Sequence, residues 1–294
     1  MELRQLRYFI SAATHLNFTK AAKECYIVQS SMTEQIANLE SELGVRLFER
    51  LPRGLALTDA GSFFLARARV LVQEAQRTEA EMNAFQAGYR TVLGVGYSGE
   101  LFKGDLVRIL GRYRQEAPHV KVLLHQMPRR SVLEKVREGQ LDLAFTAWEN
   151  PFQGESWLEL TPILEDGPCL VVGRNHPLAR RERVTLAEIQ DLTYISLGND
   201  RESVIYQIFP QETLRRIYIA GVDHTSAEIL VAGGYGVGLW SERLSRGDRY
   251  PELRFIPIAD CPVRKRYALA WRREKLSPEG ERFRDLSCRM MEDG

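Results

Sequence analysis

Apolar and polar positions along the chain change their spacing once, near residue 90. Before it, apolar side chains recur every three or four positions, the spacing of helices that bury one face. Leu3, Leu6, Phe9, Ile10 and Ala13 form the inner stripe of a first helix. Ala21 and Ala22 lie in a short second helix, small enough for two crossing helices to pack closely, and Thr19 is placed to cap it. Tyr26-Ile27-Val28 breaks the pattern. Met32, Ile36, Leu39 and Leu43 then make one apolar face, opposite Gln29, Ser30, Thr33, Glu34 and Asn38. Ser31-x-x-Glu34 reads as a capping box, which would start this third helix a few residues after Gln29. Arg46, Arg50 and Arg53 follow, and Leu51-Pro52-Arg53-Gly54 is a turn that makes a small hairpin. Thr58 caps a long helix running to about Gly88. In it Gly61, Phe64, Ala68, Leu71, Ala75, Thr78, Met82 and Phe85 recur at alternating steps of three and four, a heptad seam along which two helices keep one edge together.

From Thr91 the runs are shorter. Val92-Leu93-Gly94-Val95, Val120 to Leu124 and Leu141 to Phe145 are buried-strand patterns separated by helical stretches around Leu106 to Tyr113 and Leu133 to Val136. This βαβαβ order implies a parallel sheet with helices on its faces. A second such set follows: strands at Cys169 to Val172, Tyr194-Ile195, Ile217 to Ile219 and Val237 to Trp240, with helices near Leu186 to Ile189 and Ser226 to Ala232. Tyr267 to Trp271 and a helix from Pro278 close the chain. Two α/β lobes in one chain suggest a cleft between them. Open sheets of this kind bind ligands at the carboxyl ends of their strands. Those ends carry Ser98 and Gly99, Arg129 and Arg130, Thr146 to Trp148 and Ser196 to Asn199. An arginine at a helix start favours an anion, and Trp148 offers a face for a ring.

Composition limits what this architecture does. At 294 residues the chain is long enough for two compact units, and 44% hydrophobic with 27% charged residues suits a soluble globular protein. The net charge is only +1, and residues 1–58 hold seven Lys and Arg against six Asp and Glu, so any basic surface has to come from segregation of charge. Cys25, Cys169, Cys261 and Cys288 lie far apart, and the five histidines show no paired-ligand spacing, so neither a metal site nor a cofactor is expected. With no apolar stretch long enough to span a membrane, a cytoplasmic, reduced protein is expected. Gly94-x-Gly96-x-x-Gly99 follows a strand, but the next strand ends His125-Gln126 without the acid a dinucleotide ribose needs. The glycines are read as a strand-to-helix turn whose free amides face the cleft. No catalytic triad or Cys/His pair stands out, so no enzyme is expected.

The run FTKAAKECYIVQSSMTEQIANLESELGVRLFER, followed by L-T-D-A-G, resembles the winged helix-turn-helix of LysR-type transcriptional regulators. The pair Ala21-Ala22, the L-E-x-x-L-G-x-x-L-F-x-R block from Leu39 to Arg50 and the T-x-A-G at Thr58 to Gly61 carry the resemblance, which extends over the whole length. Two departures stand out: Val28-Gln29-Ser30 replaces the usual Ser-Gln-Pro, and Glu34 stands where a base is common. The resemblance implies an α/β protein with an N-terminal winged helix-turn-helix (1–58), a linker helix through which chains pair (59–89) and a two-lobed effector domain (91–294) similar to periplasmic binding proteins. Lobe I would comprise 91–161 and 266–294, lobe II 162–265, with crossovers near Leu160 to Leu164 and Cys261 to Arg266. It further implies double-stranded DNA as partner, a small-molecule effector, which the arginine at the helix start makes an organic anion, and a homodimer that assembles into a tetramer. DNA contacts fall to Gln29, Ser30, Ser31, Thr33, Glu34 and Arg53. Phe64, Ala68, Leu71, Ala75, Met82 and Phe85 form the dimer seam. Ser98 and Arg129 match effector-contact positions and Thr225 matches more loosely; Gly99, Thr146, Trp148 and Asn199 complete the expected site. The alternative is a ligand-binding or enzymatic α/β protein whose N-terminal helices serve only association; steep salt dependence of DNA binding separates the two.

Overall fold

The computed structural model describes residues 1–51, 54–99, 101–196, 204–209, 217–218, 223–245, 250–273 and 275–292, and the side chains of 50, 51, 54, 217, 218 and 292 are outside that description. Two compact units form. One comprises Met1–Gly94, Ala117–Leu123 and Glu134–Asp142, the other Val95–Glu116, Leu124–Leu133 and Leu143–Gly294.

The first unit starts with α1 (Leu3–His15), α2 (Phe18–Glu24) and α3 (Gln29–Leu43), then the hairpin β1 (Phe48–Leu51) and β2 (Gly54–Leu57), then α4 (Asp59–Gln86). The apolar stripes meet as their spacing requires: Leu6, Phe9, Ala12, Ala21, Ala22, Met32, Ile36 and Leu39 share one core with Leu47 and Phe48. Phe9 sits at its centre, its ring 5.4 Å from that of Phe48 and 5.1 Å from that of Phe64. The cap of α2 is Asn17, not Thr19: its side chain accepts from the amides of Thr19 and Lys20, so the helix begins one residue before the threonine. Helix α3 begins at Gln29, earlier than the Ser31-x-x-Glu34 box implies, because the Met32 amide already donates to the Val28 carbonyl at 3.1 Å. Val28 occupies the cap and offers no side-chain acceptor. Thr58 caps α4 as expected, accepting from the Gly61 amide. Further along, Arg77 pairs with Asp142 at 3.1 Å, and the second Asp142 oxygen accepts from the Gly94 amide at 2.8 Å.

The remaining elements in chain order are β3 (Thr91–Tyr97), α5 (Lys103–Glu116), β4 (Val120–Gln126), α6 (Arg129–Glu138), β5 (Leu143–Ala147), β6 (Leu158–Asp166), β7 (Pro168–Gly173), α7 (Leu186–Ile189), β8 (Tyr194–Ile195), α8 (Val204–Ile208), β9 (Ile217–Tyr218), α9 (His224–Ala232), β10 (Gly238–Ser241), β11 (Leu253–Pro257), β12 (Lys265–Arg272) and α10 (Pro278–Glu292). A five-stranded sheet has the order β4-β3-β5-β12-β6, with β3 and β5 parallel and β12 antiparallel to both its neighbours. Pro162 is tolerated in β6 because that strand lies at the sheet edge and the register with β12 shifts there. Phe102, Tyr113, Phe145, Tyr267 and Phe283 pack together, with Phe102 5.3 Å from Phe145 and Tyr113 5.0 Å from Phe283.

The second sheet departs from expectation. Instead of a parallel set, β7 lies between β10 and β11 and is antiparallel to both; among the described residues, parallel pairing in this part of the chain is limited to β8 with β9 and two isolated bridges, Val184 to Ile258 and Tyr194 to Val237. The expected strand residue Ile219 lies outside the described residues. Alternation along β7 sends Leu170 and Val172 into one core and Cys169 and Val171 into another, so both faces are buried.

A buried ion pair ties α5 to the 3-10 turn Glu242–Ser245 that follows β10. Arg243 Nε and Nη2 donate to the two Asp105 oxygens, each at 2.8 Å, and Arg108 adds a third bond at 2.7 Å. Burial alone would raise the Asp105 carboxyl, but these bonds and charges outweigh it and hold the group below its ordinary range. Because the folded pKa is depressed, the stabilisation is full above the unfolded value and is lost as pH falls through the folded one. Arg243→Ala, which strands a buried carboxylate, should lower stability by about 3–5 kcal/mol in urea denaturation at neutral pH. That loss should shrink toward zero once Asp105 is protonated in both states; an equal loss at acid and neutral pH would refute the pair's contribution.

Candidate functional sites

Two sites emerge, one in each unit. In the first, burying Met32, Ile36, Leu39 and Glu40 turns the opposite face of α3 outward. Gln29, Ser30, Glu34 and Asn38 are exposed there, while Ser31 and Thr33 are half-buried. Thr33 Oγ1 donates to the Gln29 carbonyl at 3.0 Å and accepts from Gln29 Nε2 at 3.3 Å, which holds the first turn's side chains on one side. Arg53 and the Pro52 turn lie outside the described residues, as does the Arg50 side chain.

Sequence reasoning passed over Tyr26. It is 96% exposed and left-handed at φ 56°, and the Ile27 amide reaches back to the Ala22 carbonyl at 3.0 Å. This is a Schellman-type stop for α2 that places a bare aromatic ring just ahead of α3. Its signal was the break itself, because a non-glycine residue seldom holds this conformation without a reason.

In the second unit, backbone bonds gather three element ends. The Ser98 amide donates to the Phe145 carbonyl at 3.2 Å, and the Met127 amide to the Tyr97 carbonyl at 3.1 Å. This brings Ser98 and Gly99, the start of α6 at Arg129, and Thr146 to Trp148 to one edge. Gly99 makes the turn at φ 78°. The expectation of free glycine-loop amides is corrected: Gly94 donates to Asp142 and Ser98 to Phe145, and Gly94 and Gly96 lie inside β3.

Trp148 already has a partner, since the Arg266 guanidinium sits 5.2 Å from its ring centroid while bonding Glu149 at 3.1 Å. Arg129 Nη1 reaches the Glu149 carbonyl at 3.5 Å. Thr146 is fully buried, and its hydroxyl has no hydrogen-bond partner among the described residues. Thr225 is exposed in the first turn of α9, where the Asp223 carboxylate caps the helix through the Ser226 amide and hydroxyl at 3.0 and 2.8 Å. Those bonds hold the Asp223 carboxyl below its ordinary range. Asn199 lies outside the described residues.

Among the described residues no group of three or more His, Cys, Asp or Glu could hold a metal ion. No described helix is long and apolar enough to cross a membrane. All four cysteines are free, and burial pushes the Cys169 thiol far up.

A helical reading head joined to a mixed-sheet α/β ligand domain defines a class: DNA-binding transcriptional regulators governed by small-molecule effectors. The comparisons fix the family. Residues 3–62 match the model for bacterial regulatory helix-turn-helix proteins of the lysR family, and residues 86–290 the LysR substrate binding domain. The uncharacterized HTH-type regulator YwqM of Bacillus subtilis is 33% identical over 98% of both chains. BenM of Acinetobacter baylyi is 31% identical, covering 88% of this chain and 86% of its own. Among solved structures, CbnR, a LysR family regulator, superposes with a TM-score of 0.69 at 26% identity over 99% of each chain, and CbnR complexed with its target DNA with 0.68 at 27%. The chain belongs to the LysR family of transcriptional regulators.

The unpaired Thr146 hydroxyl gives a direct test. Thr146→Val keeps the shape and removes a buried group with nothing to bond, so thermal denaturation should show unchanged or higher stability, by up to about 1 kcal/mol. A clear fall in melting temperature would mean that the hydroxyl is bonded in the folded protein.

Proposed function

We propose that this regulator reads DNA as a dimer through α3, with the chain turning over no substrate of its own, and that it answers to an organic anion held at the strand ends of its five-stranded sheet. The observation that carries the reading is the start of α3. Val28 supplies no cap, so among the described residues the first amides of a fifteen-residue helix have no side-chain acceptor, and around them lie Gln29, Ser30, Ser31 and Glu34. A helix start of that kind suits a phosphate, and the uncharged side chains suit base edges. Arg53 and Tyr26 are assigned to the neighbouring backbone.

Glu34 opposes this attraction, since it is exposed on the face turned to DNA. Glu34→Gln should therefore tighten binding to random-sequence duplex at every salt concentration, because the electrostatic contribution shared by all sequences improves. If Glu34 also accepts from a cytosine, discrimination at one position should fall by about 1–3 kcal/mol. Anisotropy titrations on specific and random duplexes measure both; unchanged affinities in a folded variant would turn Glu34 away from DNA.

For pairing we assign the outer stretch of α4. Ala68 is fully buried and Phe64 half-buried in the chain's own core, whereas Leu71, Met82 and Phe85 are 42%, 57% and 66% exposed and Ala75 is partly covered. The seam is thus proposed to run from Leu71 to Phe85, shorter than the heptads suggest, with tetramers built on such dimers. Met82→Asp should raise the dimer dissociation constant at least tenfold, since two carboxylates would meet in an apolar seam. Sedimentation showing an unchanged dimer would remove the assignment.

The effector assignment rests on Ser98, Gly99, Arg129, Thr146 and Trp148, with Thr225 joining it more loosely and Asn199 outside the described residues. Arg129 and the start of α6 favour an acidic ligand. The proposed domains are 1–58, 59–89 and 91–294, and the proposed location is the cytoplasm.

A further inference from the structure

The residues assigned to DNA contact leave unexplained a buried acid at the joint between α3 and the hairpin. Glu40 lies in the last turns of α3, where the carbonyl end of the helix dipole opposes a negative charge. Its side chain is only 9% exposed, and an unpaired carboxylate is costly there. Both penalties are offset by the chain just beyond the helix. Glu40 Oε1 accepts from the amides of Leu47 and Phe48 at 2.7 and 3.1 Å, and Oε2 from Arg46 Nη1 at 3.1 Å.

The start of α4 grips two of these residues, Arg46 and Leu47, from its own side. Thr58 Oγ1 donates to the Arg46 carbonyl at 2.7 Å, and the Thr58 amide to the Leu47 carbonyl at 3.0 Å. Gly61 approaches so closely that a Cβ there would lie 2.0 Å from the Leu47 oxygen. Leu47 and Phe48 are buried in the core. Phe48 is the first residue of β1 and pairs with Leu57, so this segment sets the angle at which the hairpin leaves.

We infer that Glu40 is the positioning residue of the wing: its carboxylate fixes residues 46–48 to the reading helix, so that hairpin and α3 meet one duplex as a single rigid head. Glu40 itself touches no DNA. The inference rests on the reading that α3 and the hairpin both approach DNA. It joins the wing to the first turn of α4 as well, so a tilt of the linker helix passes to the reading helix without slack.

The test uses the full chain and a random-sequence duplex. Glu40→Gln keeps the volume and removes the charge. Its affinity should fall about tenfold and its log–log salt slope should become shallower by about one to two, as the wing's phosphate contacts are lost. Hydrogen exchange at the Leu47 and Phe48 amides should be slow in the unmodified protein without DNA and faster in the variant, with the Phe9 amide unchanged. A merely structural role would speed all three amides and leave the slope alone. Fast exchange of the two amides in the unmodified protein overturns the inference even if the variant fails to fold. So does a variant whose two amides exchange no faster, or whose affinity and slope match the parent. Should the DNA reading itself be wrong, the failure is distinct: the unmodified protein would show no salt slope at all.

Discussion

The second unit depends on the pairing of β12 with β5 on one side and β6 on the other. A strand from the last part of the chain lies between two from its middle. Until it is in place, β6 has no partner in the sheet and the Trp148 amide lacks its acceptor, the Arg266 carbonyl at 2.8 Å. The pairing also brings Arg266 over Trp148 and against Glu149. Much of the edge around Trp148 is therefore assembled by long-range closure rather than by local sequence. The loop closure it requires is slow and unrewarded until the strands register.

The reading head meets a different constraint on fewer residues. Helix α3 must bury one face deeply enough to hold the unit together while leaving the other face polar. It does so with four buried side chains, one of them charged. The charge is tolerable because its partners are backbone amides of the next segment, so the group that would weaken the core also ties the hairpin to it. Of the acids in residues 1–58 only Glu40 is turned inward, and it is satisfied there.

Helices and buried parallel strands were legible because their periodicity survives without tertiary information: α1, α3, α4, β3 and β5 all lie where their apolar positions put them. Antiparallel edge elements were not. Leu158–Asp166 mixes acids and a proline with half-buried positions, and Leu253–Pro257 ends on proline, so neither shows the continuous apolar run of a buried strand. Caps failed where two candidates competed. Asn17 and Thr19 are both good caps, and only the helix start decides between them. The box at Ser31 and Glu34 was overruled because Val28, a poor cap, still supplies the first carbonyl acceptor. In the ligand unit the strand-end residues were legible, but not their partners: nothing local to Trp148 announces Arg266, and nothing local to Thr146 announces full burial.

The distribution of charge argues for where an anion's carboxylate would be met. The start of α9 is the obvious candidate by dipole, and Thr225 lies on it. Yet Asp223 already occupies that helix start with its own carboxylate, doubly bonded by Ser226. A second anion there would face a fixed negative charge and an amide already spent. At the start of α6 the flanking residues are Pro128 and two arginines, with no acid in the first turn. Arg266 is committed to Glu149 and the Trp148 ring. The start of α6 thus keeps a positive potential that the start of α9 has already spent on Asp223.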